Sequence, residues 1–200
     1  MDVAVLGGTF APPTVAHLAL LRAGMAFTGA GCGIWVPSSL SYMQKWRPEH
    51  MPDAWFVDND HRAGMLRALC AAERDMQFYP NEMQKSRNAY TFDTLCALEE
   101  QYGGRVAFIM GADLIDSLSG WHRADELIAR FRIIAASRGD EKLTGQRGVE
   151  VMPFPQAYRD VSATEVRSLI RNGRMDAARE YLPPAVFQYI LTHRNKPADV

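Results

Sequence analysis

Gly7-Gly8 stands directly behind the apolar run Val3 to Leu6 and just ahead of Thr14 to Met25, where Leu18, Leu21 and Met25 fall at helical spacing. A glycine turn from strand to helix leaves backbone N–H groups and the positive end of the helix dipole facing one small volume, which suits a phosphate. Thr14 and His17 lie three residues apart on one face of that helix, where a hydroxyl and an imidazole both reach phosphate oxygens. A plain N-cap threonine beside a half-buried histidine is the alternative, and the local residues leave both open. The lysine of G-x-x-x-x-G-K-[ST] and the third glycine of G-x-G-x-x-G are missing, so this is neither a P-loop nor a dinucleotide fingerprint.

Two further clusters have chemistry to offer. Ser162-Ala163-Thr164-Glu165-Val166-Arg167 carries a capping-box pattern, with Ser162 as N-cap and Glu165 three residues on. Arg167 then falls in the first helical turns, where the dipole disfavours a cation unless an anion sits nearby. A solvated surface arginine is the alternative. Gly111-Ala112-Asp113 follows the apolar stretch Arg105 to Met110, putting a carboxylate at a strand's carboxyl end, where ribose hydroxyls are natural partners.

The elements that position these clusters alternate. Strands are expected at Val3 to Leu6, Gly33 to Val36, Met76 to Tyr79, Arg105 to Met110 and Phe131 to Ala136. Helices are expected at Thr14 to Met25, at His61 to Arg74 with Asn59 or Asp60 as N-cap, and at Thr91 to Tyr102, closed by Gly103-Gly104. Helical segments follow around Leu114 to Leu118 and Arg123 to Arg130, and the chain is nearly all helical from Thr164, with Glu165 to Ile170 and Pro184 to Thr192. Ser38 to Asp53 reads as a long functional loop. This order predicts an α/β fold, a Rossmann-like doubly wound parallel sheet with a C-terminal helical segment, in which ligands sit beyond the carboxyl ends of the strands. We expect one domain over residues 1–200, with a core at 1–160 and terminal helices at 161–200.

Composition narrows the partner. The 200 residues are 48% hydrophobic, and 22 Lys plus Arg face 23 Asp plus Glu, a net charge of -1, so no basic field invites a nucleic-acid polymer. A small molecule is expected instead. Cys32, Cys70 and Cys96 make an odd, scattered set without a C-x-x-C pair. With no basic leader and no apolar stretch of about 18 residues, neither a membrane nor export is expected, and the cytoplasm is the expected compartment. Homo-oligomerisation stays open.

The stretch Gly7 to His17, GGTFAPPTVAH, resembles the G-G-T-F-D-P-P-H-x-G-H opening of the nicotinate and nicotinamide mononucleotide adenylyltransferases, within the nucleotidylyltransferase superfamily. Three more segments resemble that family in order: Tyr90-Thr91-Phe92-Asp93-Thr94-Leu95 its Y-T-x-D-T-L, Gly111-Ala112-Asp113 with Trp121-His122 its G-A-D and tryptophan, and Val161 to Arg167 its I-S-S-T-x-I-R. Phe131 to Gly139, ending near Arg138, and Pro184 to Ile190 are similar to its last strand and terminal helix. The resemblance implies transfer of AMP from Mg²⁺-ATP to a pyridine mononucleotide, giving NaAD or NAD and pyrophosphate, a step of NAD biosynthesis. It implies that His17 and Arg167 stabilise the transferring phosphate. Gly7, Gly8, Thr9, Phe10, Thr14, Lys45, Arg138, Ser162 and Thr164 would line the phosphate site, and Asp113 would meet the ribose. Thr91, Trp121 and His122 would hold the mononucleotide, the indole stacking on its ring. The chain departs from the pattern at Ala11, Thr14, Ala16 and Ala163, and Thr14 matches the T-x-G-H of the related phosphopantetheine adenylyltransferases. Another acceptor such as phosphopantetheine, another donor such as CTP, or nucleotide binding without turnover are the alternatives these changes leave.

Overall fold

The computed structural model describes residues 1–39, 55–84, 89–139 and 148–194. Six strands form one parallel sheet: β1 (Val3–Gly8), β2 (Cys32–Pro37), β3 (Met76–Phe78), β4 (Val106–Gly111), β5 (Arg132–Ser137) and β6 (Val149–Pro153). Their order across the sheet is β3-β2-β1-β4-β5-β6. The chain thus builds outward from β1 on one side, then returns to lay β4 on its other side. That reversal opens a crevice at the carboxyl ends of β1 and β4.

The strands read as continuous apolar runs because both faces are covered. Ala4, Leu6, Trp35, Ile109 and Ile134 point to one layer, formed by α1 (Val15–Thr28), α2 (Asn59–Ala72) and the terminal helices. Val3, Val5, Ile34, Phe108 and Ile133 point to the other. That second layer holds α4 (Thr91–Tyr102), a 3-10 helix over Ala112–Gly120, and α5 (Ala124–Arg130), while the short α3 (Asn81–Gln84) precedes α4. Each large aliphatic side chain buried this way contributes about 1.5–3 kcal/mol.

The terminal helices α6 (Ala163–Arg171), α7 (Met175–Arg179) and α8 (Pro184–His193) share the first layer's core through Val166, Leu169, Ala178, Val186 and Ile190. The Val15 N–H also donates to the Tyr181 carbonyl at 3.0 Å. The start of α1 is therefore anchored to the chain's far end.

Two local expectations are corrected. The N-cap of α2 is Asp58, not Asn59 or Asp60: the Asp58 Oδ1 accepts the His61 N–H at 2.7 Å, which leaves Asn59 to serve another group. The sequence reading also missed β6. Of its five residues only Met152 is fully buried, so this edge strand lacks the apolar run that marks the central ones. Gly103, with φ 61°, closes α4 as expected.

Candidate active site

The glycines after Leu6 do not make the turn. Gly7 and Gly8 stay in β1, paired with Val36 and Pro37 of β2, and the bend falls on residues 9–13, with Phe10 at φ 50° and a cis bond between Ala11 and Pro12. The glycines instead admit aromatic rings. A Cβ on Gly8 would lie 3.0 Å from the Phe10 ring, and one on Gly7 3.3 Å from the Phe108 ring. A left-handed phenylalanine costs about 1–2 kcal/mol. Its buried ring offsets this, packing edge-on to Trp35 at 5.0 Å and to His17 at 5.3 Å.

Thr14 and His17 form a reciprocal cap at the start of α1. The Thr14 N–H donates to His17 Nδ1 at 3.0 Å, the Thr14 Oγ1 lies 2.8 Å from the same nitrogen, and the His17 N–H donates to Thr14 Oγ1 at 3.4 Å. Because a backbone N–H can only donate, Nδ1 is an acceptor and the ring proton sits on Nε2. Burial, and then the charge of Arg138, push the His17 pKa down to about 4. The imidazole is therefore neutral near pH 7, half-buried, with an N–H to give. Cap and phosphate donor, posed as alternatives by the sequence, are compatible: one edge of the ring caps the helix and the other is left for a ligand.

Arg167 is 6% exposed, which excludes the solvated arginine. Its Nη1 donates to the Ala11 carbonyl at 3.0 Å and its Nη2 to Thr164 Oγ1 at 2.8 Å. Among the described residues it has no carboxylate partner, and burial followed by the neighbouring Arg171 lowers its pKa. A buried cation balanced by carbonyl and hydroxyl dipoles alone leaves charge for an anion. Ser162 caps α6 through the Thr164 N–H at 3.2 Å, not through the box expected with Glu165, whose side chain is exposed. Ala11 and Ala16 belong to the buried apolar cluster, so those two methyl groups are spent on packing.

Among the remaining candidates, Asp113 and Arg138 follow the carboxyl ends of β4 and β5. Exposed Asp113 lies just beyond β4 in the 3-10 helix. Trp121 packs edge-on to Phe108 at 6.0 Å, and its Nε1 reaches Ser117 Oγ at 3.4 Å. His122 stacks on Tyr90 at 4.1 Å, beside Thr91 at the first position of α4. Arg138 lies over the Phe154 ring at 4.8 Å. Lys45, with most of the long loop expected at Ser38 to Asp53, lies outside the described residues.

Arg62 escaped the sequence reading. It is fully buried, and it donates to the carbonyls of Thr9 at 2.9 Å and Ser38 at 2.8 Å. A lone arginine in an amphipathic helix reads as solvated, and only tertiary contact reveals otherwise. Among the described residues no group of three or more His, Cys, Asp or Glu could hold a metal ion, and no helix is long and apolar enough to cross a membrane.

A doubly wound sheet with cations and hydrogen-bond donors gathered at its strand-order reversal defines a nucleotide-handling protein of the α/β class. Residues 5–169 match the cytidylyltransferase-like family. A probable nicotinate-nucleotide adenylyltransferase of Gloeobacter violaceus is 33% identical, covering 93% of this chain and 91% of its own. The nicotinate-nucleotide adenylyltransferase of Bacillus subtilis is 30% identical, covering 94% of each. Among solved structures, the nicotinic acid mononucleotide adenylyltransferase of Plasmodium falciparum complexed with NaAD superposes with a TM-score of 0.71 at 18% identity, covering 97% of this chain and 96% of that one. The chain belongs to the cytidylyltransferase-like nucleotidyltransferases, in the branch of the nicotinate-nucleotide adenylyltransferases.

Proposed function

We propose that this protein transfers AMP from Mg²⁺-ATP to nicotinate mononucleotide. A phosphate oxygen of the mononucleotide attacks the α-phosphorus in line, the bond to the bridging oxygen of pyrophosphate breaks, and a dinucleotide forms without a protein nucleophile. Catalysis then rests on positioning and on stabilising charge at the phosphoryl oxygens. The Nε2–H of His17 donates to those oxygens, and Arg167, with Ser162, Thr164 and the Thr9 turn, receives the triphosphate. Mg²⁺ arriving with ATP would add charge neutralisation on the phosphates. Asp113 accepts from the ribose, and Trp121 covers the pyridine ring, with Thr91 and His122 at its border.

The observation that carries this reading is the orientation of His17: Nδ1 is committed to Thr14, so a neutral donor is available at the start of α1, while Arg167, without a carboxylate partner among the described residues, bonds the turn that leads into that helix. The names of the relatives favour the acid over the amide as acceptor. Free Cys32, Cys70 and Cys96 fit a reducing, cytoplasmic setting.

The test supplies purified protein with Mg²⁺-ATP and, in separate reactions, nicotinate mononucleotide, nicotinamide mononucleotide and phosphopantetheine, following pyrophosphate release and product mass. The highest kcat/KM is expected with nicotinate mononucleotide. Turnover with phosphopantetheine alone would replace the acceptor, and ATP binding without any turnover would make the protein a nucleotide-binding module.

A further inference from the structure

Arg62 carries a charge with no exposure. Its Nη1 forks to two carbonyls on different loops, Thr9 after β1 and Ser38 after β2, and its Nη2 donates to Asn59 Oδ1 at 2.6 Å. Among the described residues its Nε has no partner and no carboxylate lies within ion-pair distance. Burial lowers its pKa to about 10 against the opposing field of Asp58, which still leaves it charged at neutral pH. A buried guanidinium without an ion-pair partner is a poor way to stabilise a helix, where a packed apolar side chain does as well or better. The need for a guanidinium lies in what it holds. Only a forked, planar donor satisfies two loop carbonyls and a side-chain amide together.

The chain of contacts continues past Arg62. Asn59 Nδ2 donates to the Met83 carbonyl at 3.2 Å in α3, and the adjacent residue Glu82 accepts from Thr94 Oγ1 at 2.7 Å. Thr94 is buried in α4, the helix that begins beside Tyr90. Polar contacts and one short helix therefore connect the Thr9 turn, on the triphosphate side, to the helix bordering the mononucleotide pocket.

We propose that Arg62 is a positioning residue that fixes the Thr9 turn relative to α4, so that the attacking phosphate and the α-phosphorus of ATP meet in line. The proposal rests on the adenylyltransferase reading. Each substrate contacts its own half of the site, so loss of Arg62 should disturb their alignment more than the binding of either alone. A misplacement of about 1 Å is enough to cost roughly 100-fold in rate.

The experiment compares wild type, Arg62→Met, Arg62→Lys and Asn59→Ala. It measures kcat at saturating Mg²⁺-ATP and nicotinate mononucleotide, the affinity for each substrate alone by calorimetry, and thermal melting. Arg62→Met is expected to lower kcat about 100-fold while each affinity changes by less than about threefold, and Arg62→Lys to recover part of the loss. Asn59→Ala, which keeps the bonds to Thr9 and Ser38 and serves if Arg62→Met does not fold, is expected to lower kcat about tenfold. A folded variant with lowered melting temperature but kcat within twofold of wild type reduces Arg62 to a structural residue and overturns the proposal. Wild type inactive with the mononucleotide overturns the adenylyltransferase reading itself, a different and recognisable result.

Discussion

The two halves of the site are built by opposite means. On the side proposed to take the phosphates, Thr14 is fully buried, Arg167 is 6% exposed, and Phe10, Ala11, His17 and Thr164 are tied together by hydrogen bonds and an edge-on ring contact. On the other side Tyr90 is 38% exposed, His122 is exposed on top of it, and Trp121 is held by an edge contact and one long hydrogen bond. The difference follows from the chemistry. Charge developing on phosphoryl oxygens is stabilised best by donors that need no reorganisation at the moment of reaction. A flat ring is recognised by stacking, which tolerates small shifts and needs open aromatic faces.

The sharpest way to break this comparison is to remove one donor from the rigid half. His17→Ala should lower turnover by roughly 10²–10³, the usual cost of losing a preorganised donor. It also removes the acceptor for the Thr14 N–H, about 1 kcal/mol of capping, so melting should shift by only a few degrees. Wild-type turnover in this variant would remove His17 from the chemistry. In the open half, Trp121→Ala should raise the mononucleotide KM about 10- to 100-fold, a loss of about 1–3 kcal/mol of stacking, while the ATP KM stays within about twofold. Steady-state kinetics with each substrate varied in turn measures both, and a comparable rise in the ATP KM would merge the halves into one unit.

Next comes a smaller effect within the rigid half. Thr14→Val keeps the volume but removes the hydroxyl that caps α1 and contacts His17 Nδ1. The Thr14 N–H still directs Nδ1, so turnover should fall only about tenfold, with about 1 kcal/mol lost in stability by urea titration. A loss as large as that of His17→Ala would mean that Thr14 itself touches phosphate.

What the sequence disclosed follows the same division. The central strands were legible because burial on two faces leaves an apolar run, and β6 was not, because an edge strand with Glu150 in it leaves none. His17 and Arg167 were legible as candidates through their place beside a turn and a helix start. Their partners were not, since Arg167 meets Ala11 across 156 residues of chain. The glycines were assigned to the right place for the wrong reason: the bend falls on residues 9–13, and Gly8 makes room for a ring that the sequence does not show folding back. Arg62 was hidden for a related cause, because burial of a charged side chain depends on which carbonyls the fold brings near it.

The last expected effect concerns acid stability and isolates the burial of His17. Its pKa falls from the ordinary 6.5 to about 4 in the folded chain, first because burial disfavours the imidazolium and then because Arg138 repels it. Between these values the unfolded chain binds the proton and the folded chain does not, so protonation favours unfolding. The stability this group contributes is complete above about 6.5 and is lost as pH falls through 4. Urea titrations of wild type and His17→Gln from pH 7.5 to 4.5 should therefore converge as pH drops, the wild type losing stability more steeply. Parallel curves would place the imidazole in water and take away the neutral tautomer on which the rigid half depends. Convergence would sharpen the contrast instead, setting the buried ring of His17 apart from His122, which lies exposed against Tyr90.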